Sequence, residues 1–337
     1  MKIKHIDLGE TPLFLAPMED VTYQSFRTVC KQNGADVMYT EFVSSEALIR
    51  EIEKIKMKMQ LDDTERPIGI QIYGYDIESM ANAARMAESA QPDFIDLNFG
   101  CPMKKIVARG ACSALLKDLP KMQAMTDAVV KAVNIPVTAK TRLGWDENSK
   151  CIMEAALRVQ DAGASALTIH GRTRSQIYTG EADWTLIGEV KNNPNISIPI
   201  IGNGDINGPE KAKQLLDQTG VDGLMIGRGS IGRPWIFNEV KHFLKTGEIL
   251  PYPTVEFIVA ELRKQMDITV DFKGNEISSI RMMRRHFARY FPGVRNFRNH
   301  RVQLLQADTR EQVEAVLDEI LNVHGHERVD YTDMSLK

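Results

Sequence analysis

Cys101 closes the run Phe94-Ile95-Asp96-Leu97-Asn98-Phe99-Gly100-Cys101-Pro102, where an apolar stretch gives way to a basic loop with Lys104, Lys105 and Arg109. Other apolar runs also carry reactive or charge-bearing side chains near their ends. Gln71, Asn98, Lys140 with Arg142, His170 with Arg172, Asn203 with Asp205, and Arg228 all sit this way. Cysteine, histidine and lysine are proton-transfer and nucleophile types; arginine and lysine bind anions; glycine lets backbone approach a ligand. Taken singly, each has a plainer explanation: a free cysteine is often a small buried hydrophobe, and a glutamine a solvated rim residue. Lys140 resists the plain explanation, because Val137, Ala139 and Leu143 around it read as strand and a lysine is rarely buried unless paired.

These residues need elements that bring their run ends together. The runs are LFLAPM (13–18), VMYTEFV (37–43), IGIQIYG (68–74), FIDLNFG (94–100), VTAKTRLG (137–144), ALTIHGR (166–172), IPIIGNGD (198–205) and GLMIGRG (223–229). Near-continuous apolar runs fit parallel strands covered on both faces. Between them lie helical periods such as Glu78–Ala90, Leu119–Val133 and Ile152–Ala162. Eight strand–helix alternations predict an α/β fold, a (β/α)8 TIM barrel, with a doubly wound open sheet as the competitor. In such a barrel the active site forms where the strands end, and there the polar residues converge.

The last two runs, IIGNGDING and MIGRGSIGRPW, place glycines where backbone N–H groups can approach an anion, and Arg228 adds a fork of donors. Barrels often bind phosphate in the loops after strands seven and eight. Gln71 and Lys140 suit the carbonyl and nitrogen edge of a flavin ring, with the lysine charge balancing the reduced ring. Spacing alone leaves FMN and a sugar phosphate both open.

The 337 residues allow one large domain plus a small one, and the net charge of −3 excludes a uniformly basic nucleic-acid coat while permitting a local basic face. Cys30, Cys101, Cys112 and Cys151 form no CxxC pair, so no metal site is expected. With neither a signal-like start nor an apolar run of about 20 residues, a cytoplasmic chain away from membranes is expected.

The segments LAPMEDVTYQSFR, DLNFGCPMKKIVARGACSALLKD, VTAKTRLGWDE, ALTIHGRTRSQIYTGEADW, PIIGNGDI and GLMIGRGSIGRPWIF together resemble the tRNA-dihydrouridine synthases, most closely the bacterial B-type members. The resemblance implies an FMN barrel over residues 1–245, a helical tRNA-binding domain over 246–337, and NADPH as the reductant. It implies that Ala16, Pro17 and Met18 contact the ring through backbone, that Gln71 and Lys140 hold its polar edge with His170 nearby, and that Asn203, Gly204, Asp205, Gly227 and Arg228 hold the phosphate. Cys101 would protonate C5 of a uracil as hydride reaches C6; a thiol, with its ordinary pKa of about 8.5, is far better suited to this than a serine. Asn98, Arg142 and Arg172 at the mouth, with Lys104 and Lys105 on the rim, would meet the tRNA. Cys112 departs from the family, which tends to have glycine or another small residue there.

After residue 245 no strand-like run recurs, and helices are predicted near 254–272, 276–291, 295–306 and 309–323. Residues 281–301 hold seven arginines and no acid. Arg281, Arg284, Arg285 and Arg289 fall at helical spacing, to bind tRNA phosphates or else to pair with the acidic last helix. Two rival functions remain: an FMN barrel dehydrogenase of a small molecule, dihydroorotate- or enoate-type, and an RNA-binding protein with a vestigial flavin site.

Overall fold

The computed structural model describes residues 1–331. Eight parallel strands form its centre: β1 (Leu13–Leu15), β2 (Met38–Tyr39), β3 (Ile68–Tyr73), β4 (Phe94–Asn98), β5 (Val137–Arg142), β6 (Leu167–His170), β7 (Ile200–Asn203) and β8 (Gly223–Ile226). Each pairs with its sequence neighbour from β2 to β8, and β8 returns to pair with β1. A parallel bridge between Phe14 and Val37, with the Leu15 N–H donating to the Val37 carbonyl at 3.0 Å, links β1 to the β2 edge and closes the ring. The fold is a (β/α)8 barrel followed by C-terminal helices, as the alternation of apolar runs and helical periods predicts.

The run expected over 37–43 divides into β2 and a short segment, Val43–Ser44, that pairs with β3. Strand registers then decide which side chains meet. Gln71 lies opposite Asp96, Asp96 opposite Thr138, Asn98 opposite Lys140, Arg142 opposite His170, and His170 opposite Asn203. Side chains alternate between strand faces with a period of two, so these residues share one face and stack at one end of the ring.

The outer helices are bounded by local chemistry. Asp76 and Asp118 cap the helices Ile77–Glu88 and Leu119–Ala132 by accepting from the Ser79 and Lys121 N–H groups at 2.8 and 3.1 Å. Helix α1 (Gln24–Gln32) follows β1 and packs on α2 (Val255–Lys273), the first of the C-terminal helices; α3 (Glu276–Phe287), α4 (Arg298–Gln306) and α5 (Arg310–His324) follow it. Those helices bury an apolar cluster of their own that includes Trp235, Leu262, Met283, Phe287, Tyr290, Leu317 and Tyr331. Polar contacts tie it to the barrel: Ser25 Oγ lies 2.8 Å from Thr269 Oγ1, and Gln265 Nε2 donates to the Tyr23 hydroxyl at 3.2 Å. Helix α3 stops at Phe287, short of the expected residue 291, because Pro292 lacks an N–H and Gly293 turns the chain at φ +73°.

Candidate active site

The chain beyond β4 carries the thiol. Asn98 Oδ1 accepts from the backbone N–H groups of both Gly100 and Cys101 at 3.0 Å, which folds Asn98–Cys101 into a fixed turn. Arg142 Nε donates to the Gly100 carbonyl at 2.7 Å, and Ser113 Oγ donates to the Cys101 carbonyl at 2.8 Å. Cys101 is partly exposed. A hydrogen bond from the Cys112 thiol brings its pKa down to about 7 against the opposing effect of burial, with help from the Met103 N–H and the Arg142 charge. Cys112 itself is buried and sits at φ +53°, a backbone conformation that favours glycine.

Lys140 reaches across the ring and donates from Nζ to Asn203 Oδ1 at 3.1 Å, while Asn203 Nδ2 donates to the Met225 carbonyl at 2.7 Å. Burial, reinforced by Arg142, lowers the Lys140 pKa to about 8. His170 is 7% exposed, and burial followed by the charges of Arg142, Lys140, Arg172 and Arg228 drives its pKa well below the ordinary value. Its imidazole is therefore neutral at neutral pH.

Asp205 holds the two arginines of the β6 and β8 ends. It accepts a bidentate pair from Arg172 at 2.8 Å and a further bond from Arg228 Nη2 at 3.1 Å. Gly204 at φ +131° and Asp205 at φ +56° turn the chain after β7. Gly227 lies against β1, where an added Cβ would meet the Ala16 Cβ at 3.4 Å and the Met18 Sδ at 3.6 Å. The ends of β7, β8 and β1 thus adjoin, with Arg228 beginning a short 3-10 turn, Arg228–Ser230. The Tyr178 ring covers the same mouth, 4.7 Å from the Arg228 guanidinium carbon and 5.8 Å from that of Arg142.

Burial and bonding bear on three expectations. Arg142 and Arg172 are each 2% exposed. Arg142 is committed to the carbonyls of Gly100, Thr173 and Ile177, and Arg172 to Asp205, Thr179 and Gly180. Gln71 is fully buried, with Nε2 donating to Asp96 Oδ2 at 2.6 Å and Oε1 accepting from Asn98 Nδ2 at 2.8 Å. Its amide is engaged by protein at both ends, leaving one N–H for any ligand. Sequence reasoning also missed Asp96, Thr138 and Tyr178. Asp96 and Thr138 were legible only as inward positions of adjacent strands, and nothing marked Tyr178.

On the rim, Lys104 and Lys105 are exposed on the short helix Lys104–Val107. On the helical side, Arg281 and Arg284 both bond Asp308, at 2.7 and 2.9 Å, and Arg284 also donates to the Ala307 carbonyl. Arg285 pairs with Asp20 of the barrel at 2.9 Å. Arg289 lies beyond the end of α3 and so leaves the expected helical face. Glu19, Asp20 and Glu41, just past the ends of β1 and β2, bring carboxylates within 4.8 Å of one another, with Lys58 and Arg285 as counter-charges.

The donor set of the mouth suits an anionic ligand with a phosphate: Lys140 and Arg228, the turn at Gly204–Asp205 and the open backbone at Gly227. Together, the closed barrel and this mouth define a barrel enzyme. The model of the dihydrouridine synthase (Dus) family matches residues 14–324, and the chain belongs to that family. It is 42% identical over 289 residues to a tRNA-dihydrouridine synthase B of Pseudomonas putida, covering 85% of each chain. It is 38% identical over 297 residues to a probable tRNA-dihydrouridine synthase of Rickettsia conorii, covering 88% of each. Among solved structures it is similar to histamine dehydrogenase from Rhizobium sp. 4-9, with TM-score 0.56 and 10% identity over 95% of this chain and 64% of that one. It is also similar to 2-naphthoyl-CoA reductase, with TM-score 0.55 and 12% identity over 70% of this chain and 51% of that one. The two structures share the fold and run well beyond this chain in length.

Proposed function

We propose that this protein reduces the C5=C6 bond of uridines in tRNA to dihydrouridine, with FMN as cofactor and NADPH as reductant. The reading rests on one observation above the others. The chain of a dihydrouridine synthase holds Cys101 in a bonded turn at the barrel mouth, beside Lys140 and the glycine-bearing ends of β7 and β8. Ala16 to Met18 would pass one edge of the flavin ring, and Lys140, held by Asn203, would face its polar edge with neutral His170 nearby. Gly204, Asp205 backbone, Gly227 and Arg228 would hold the phosphate. The Asp205 carboxylate aligns Arg172 and Arg228 and does not itself bind an anion.

When bound, FMN reduced by NADPH would supply hydride to C6 of the uracil. Cys101 would protonate C5, where charge collects. With a pKa of about 7 the thiol is a stronger acid than a free cysteine. Lys104 and Lys105 on the rim and Arg281, Arg284, Arg285 and Arg289 on the helical side would meet the RNA backbone. A stacked base is obstructed, so the target uridine would be extruded into the mouth. Residues 1–245 form the catalytic unit and 246–337 the RNA-binding unit in this reading; residues 332–337 of the second lie outside those described. Among the described residues no helix is long and apolar enough to cross a membrane, and the protein would act in the cytoplasm. The test is mass spectrometry of nucleosides from tRNA of cells lacking this protein. Loss of dihydrouridine at one or more positions supports the reading, and an unchanged dihydrouridine complement contradicts it.

A further inference from the structure

Asp96 is 1% exposed, lies below the reacting groups and has no role in the chemistry derived above. Its two oxygens are both used: Oδ1 accepts from Thr138 Oγ1 and Oδ2 from Gln71 Nε2, each at 2.6 Å. An ionised carboxylate can only accept, so Gln71 must turn its NH2 toward Asp96. The Gln71 oxygen is thereby turned toward Asn98, which must answer with its own NH2, observed at 2.8 Å. That leaves Asn98 Oδ1 aimed at the N–H groups of Gly100 and Cys101, both at 3.0 Å. The donor-only N–H groups of Gly100 and Cys101 fix the direction of the series at one end, and the acceptor-only carboxylate of Asp96 anchors it at the other.

We infer that Asp96 is a positioning residue for Cys101, acting through the directed series Asp96–Gln71–Asn98 that holds the thiol-bearing turn. The inference rests on the reading of Cys101 as proton donor. Reversing the two amides would set the Asn98 NH2 against two backbone N–H groups, and the turn would open. A carboxylate this deep is costly to bury, and it is pushed up to about pKa 6 by that burial against the pull of Thr138, Gln71 and Lys140. A hydrophobic or neutral residue would suit the barrel interior better on stability alone.

The test is the pH dependence of Cys101 alkylation by iodoacetamide in the full-length protein, located by peptide mass spectrometry. Asp96→Asn replaces the acceptor-only anchor by an amide that can turn either way, with little change of volume. The inflection is expected to rise toward the ordinary thiol value of about 8.5, since a loosened turn weakens the Cys112 and Met103 interactions. Uracil reduction should fall about 10- to 100-fold, the cost of misplacing a reacting group by an ångström or less. The double variant Asp96→Asn with Gln71→Glu restores an acceptor-only anchor, because a carboxylate at 71 accepts from Asn at 96 and from Asn98 alike. It should return the inflection to the wild-type position. If Asp96→Asn folds poorly, Gln71→Met cuts the series one link further on and should raise the inflection in the same way. A wild-type inflection in Asp96→Asn or Gln71→Met overturns the inference. So does a shifted inflection that the double variant fails to restore, since Asp96 would then act by charge alone. Wild-type turnover in Cys101→Ala would remove the thiol from the reaction yet leave the alkylation result standing, so the two failures can be told apart.

Discussion

The barrel mouth and the arginine-bearing helical side both concentrate cations, and they hold them in opposite ways. At the mouth the charges are buried and fixed. Arg142 and Arg172 are each 2% exposed and bonded at several points to carbonyls or a carboxylate. On the helical side the ion pairs lie in solvent: Arg285 and Asp20 are 59% and 62% exposed, and Arg281 and Asp308 are 58% and 41% exposed. Exposed pairs are typically worth no more than about 1 kcal/mol, so an arginine there can exchange its carboxylate for a phosphate at little cost. A buried arginine cannot be withdrawn from its partners so cheaply. One region is therefore built to hold a geometry, and the other to trade partners. Substitutions in the first should change rate and cofactor retention, and substitutions in the second should change affinity and its salt dependence.

The largest effect expected is at Cys101. Changing it to Ala should leave FMN binding, NADPH oxidation and tRNA binding intact and slow uracil reduction by about 10²–10⁴-fold, the usual range for a general acid. Single-turnover mixing with tRNA separates this step from flavin reduction. Lys140→Met should come next. Loss of a charged hydrogen bond costs about 1.5–3 kcal/mol, so FMN retention should weaken by about 10- to 100-fold in a flavin fluorescence titration. The protein should fold as before, because Asn203 keeps its bond to the Met225 carbonyl.

A smaller effect is expected on the helical side. Arg285→Ala together with Arg289→Ala should weaken all tRNAs alike and lower the log–log salt slope by roughly 0.7–0.9 for each phosphate no longer neutralised. Binding measured across a salt series reads this, with circular dichroism to confirm folding. An unchanged slope would place the RNA surface elsewhere and erase the contrast between the two regions. The smallest effect is a shift in pH dependence. The proton donor must be protonated, so the rate of uracil reduction should fall as pH rises through about 7, the Cys101 value. Cys112→Ala removes the main cause of that low value. It should raise the Cys101 pKa and move the falling limb to higher pH.

The sequence made the barrel and the mouth legible but not the bonding inside them. Eight short apolar runs, several ending in glycine, specify buried parallel strands because few other elements leave Ile, Leu and Val uninterrupted. The polar residue at the end of each run then marks the mouth. The bonding of Arg142 and Arg172 was not legible, because run ends look alike in sequence, whether a side chain faces solvent or folds back onto carbonyls. The partners of Gln71, Asp96 and Asn98, lie one strand away at a register that only the pairing reveals. Cys112, which hydrogen-bonds Cys101, sits at a positive φ, which residue type does not announce.

The most direct test of the central claim uses purified protein with FMN and NADPH, offered an unmodified tRNA transcript and, separately, free uridine. Nucleoside mass spectrometry follows the gain of two hydrogens. The account predicts dihydrouridine at defined positions of the folded tRNA and negligible conversion of the free nucleoside. Equal reduction of free uridine, or NADPH oxidation with a small enone while the tRNA stays unmodified, would contradict it and identify the barrel as a small-molecule dehydrogenase.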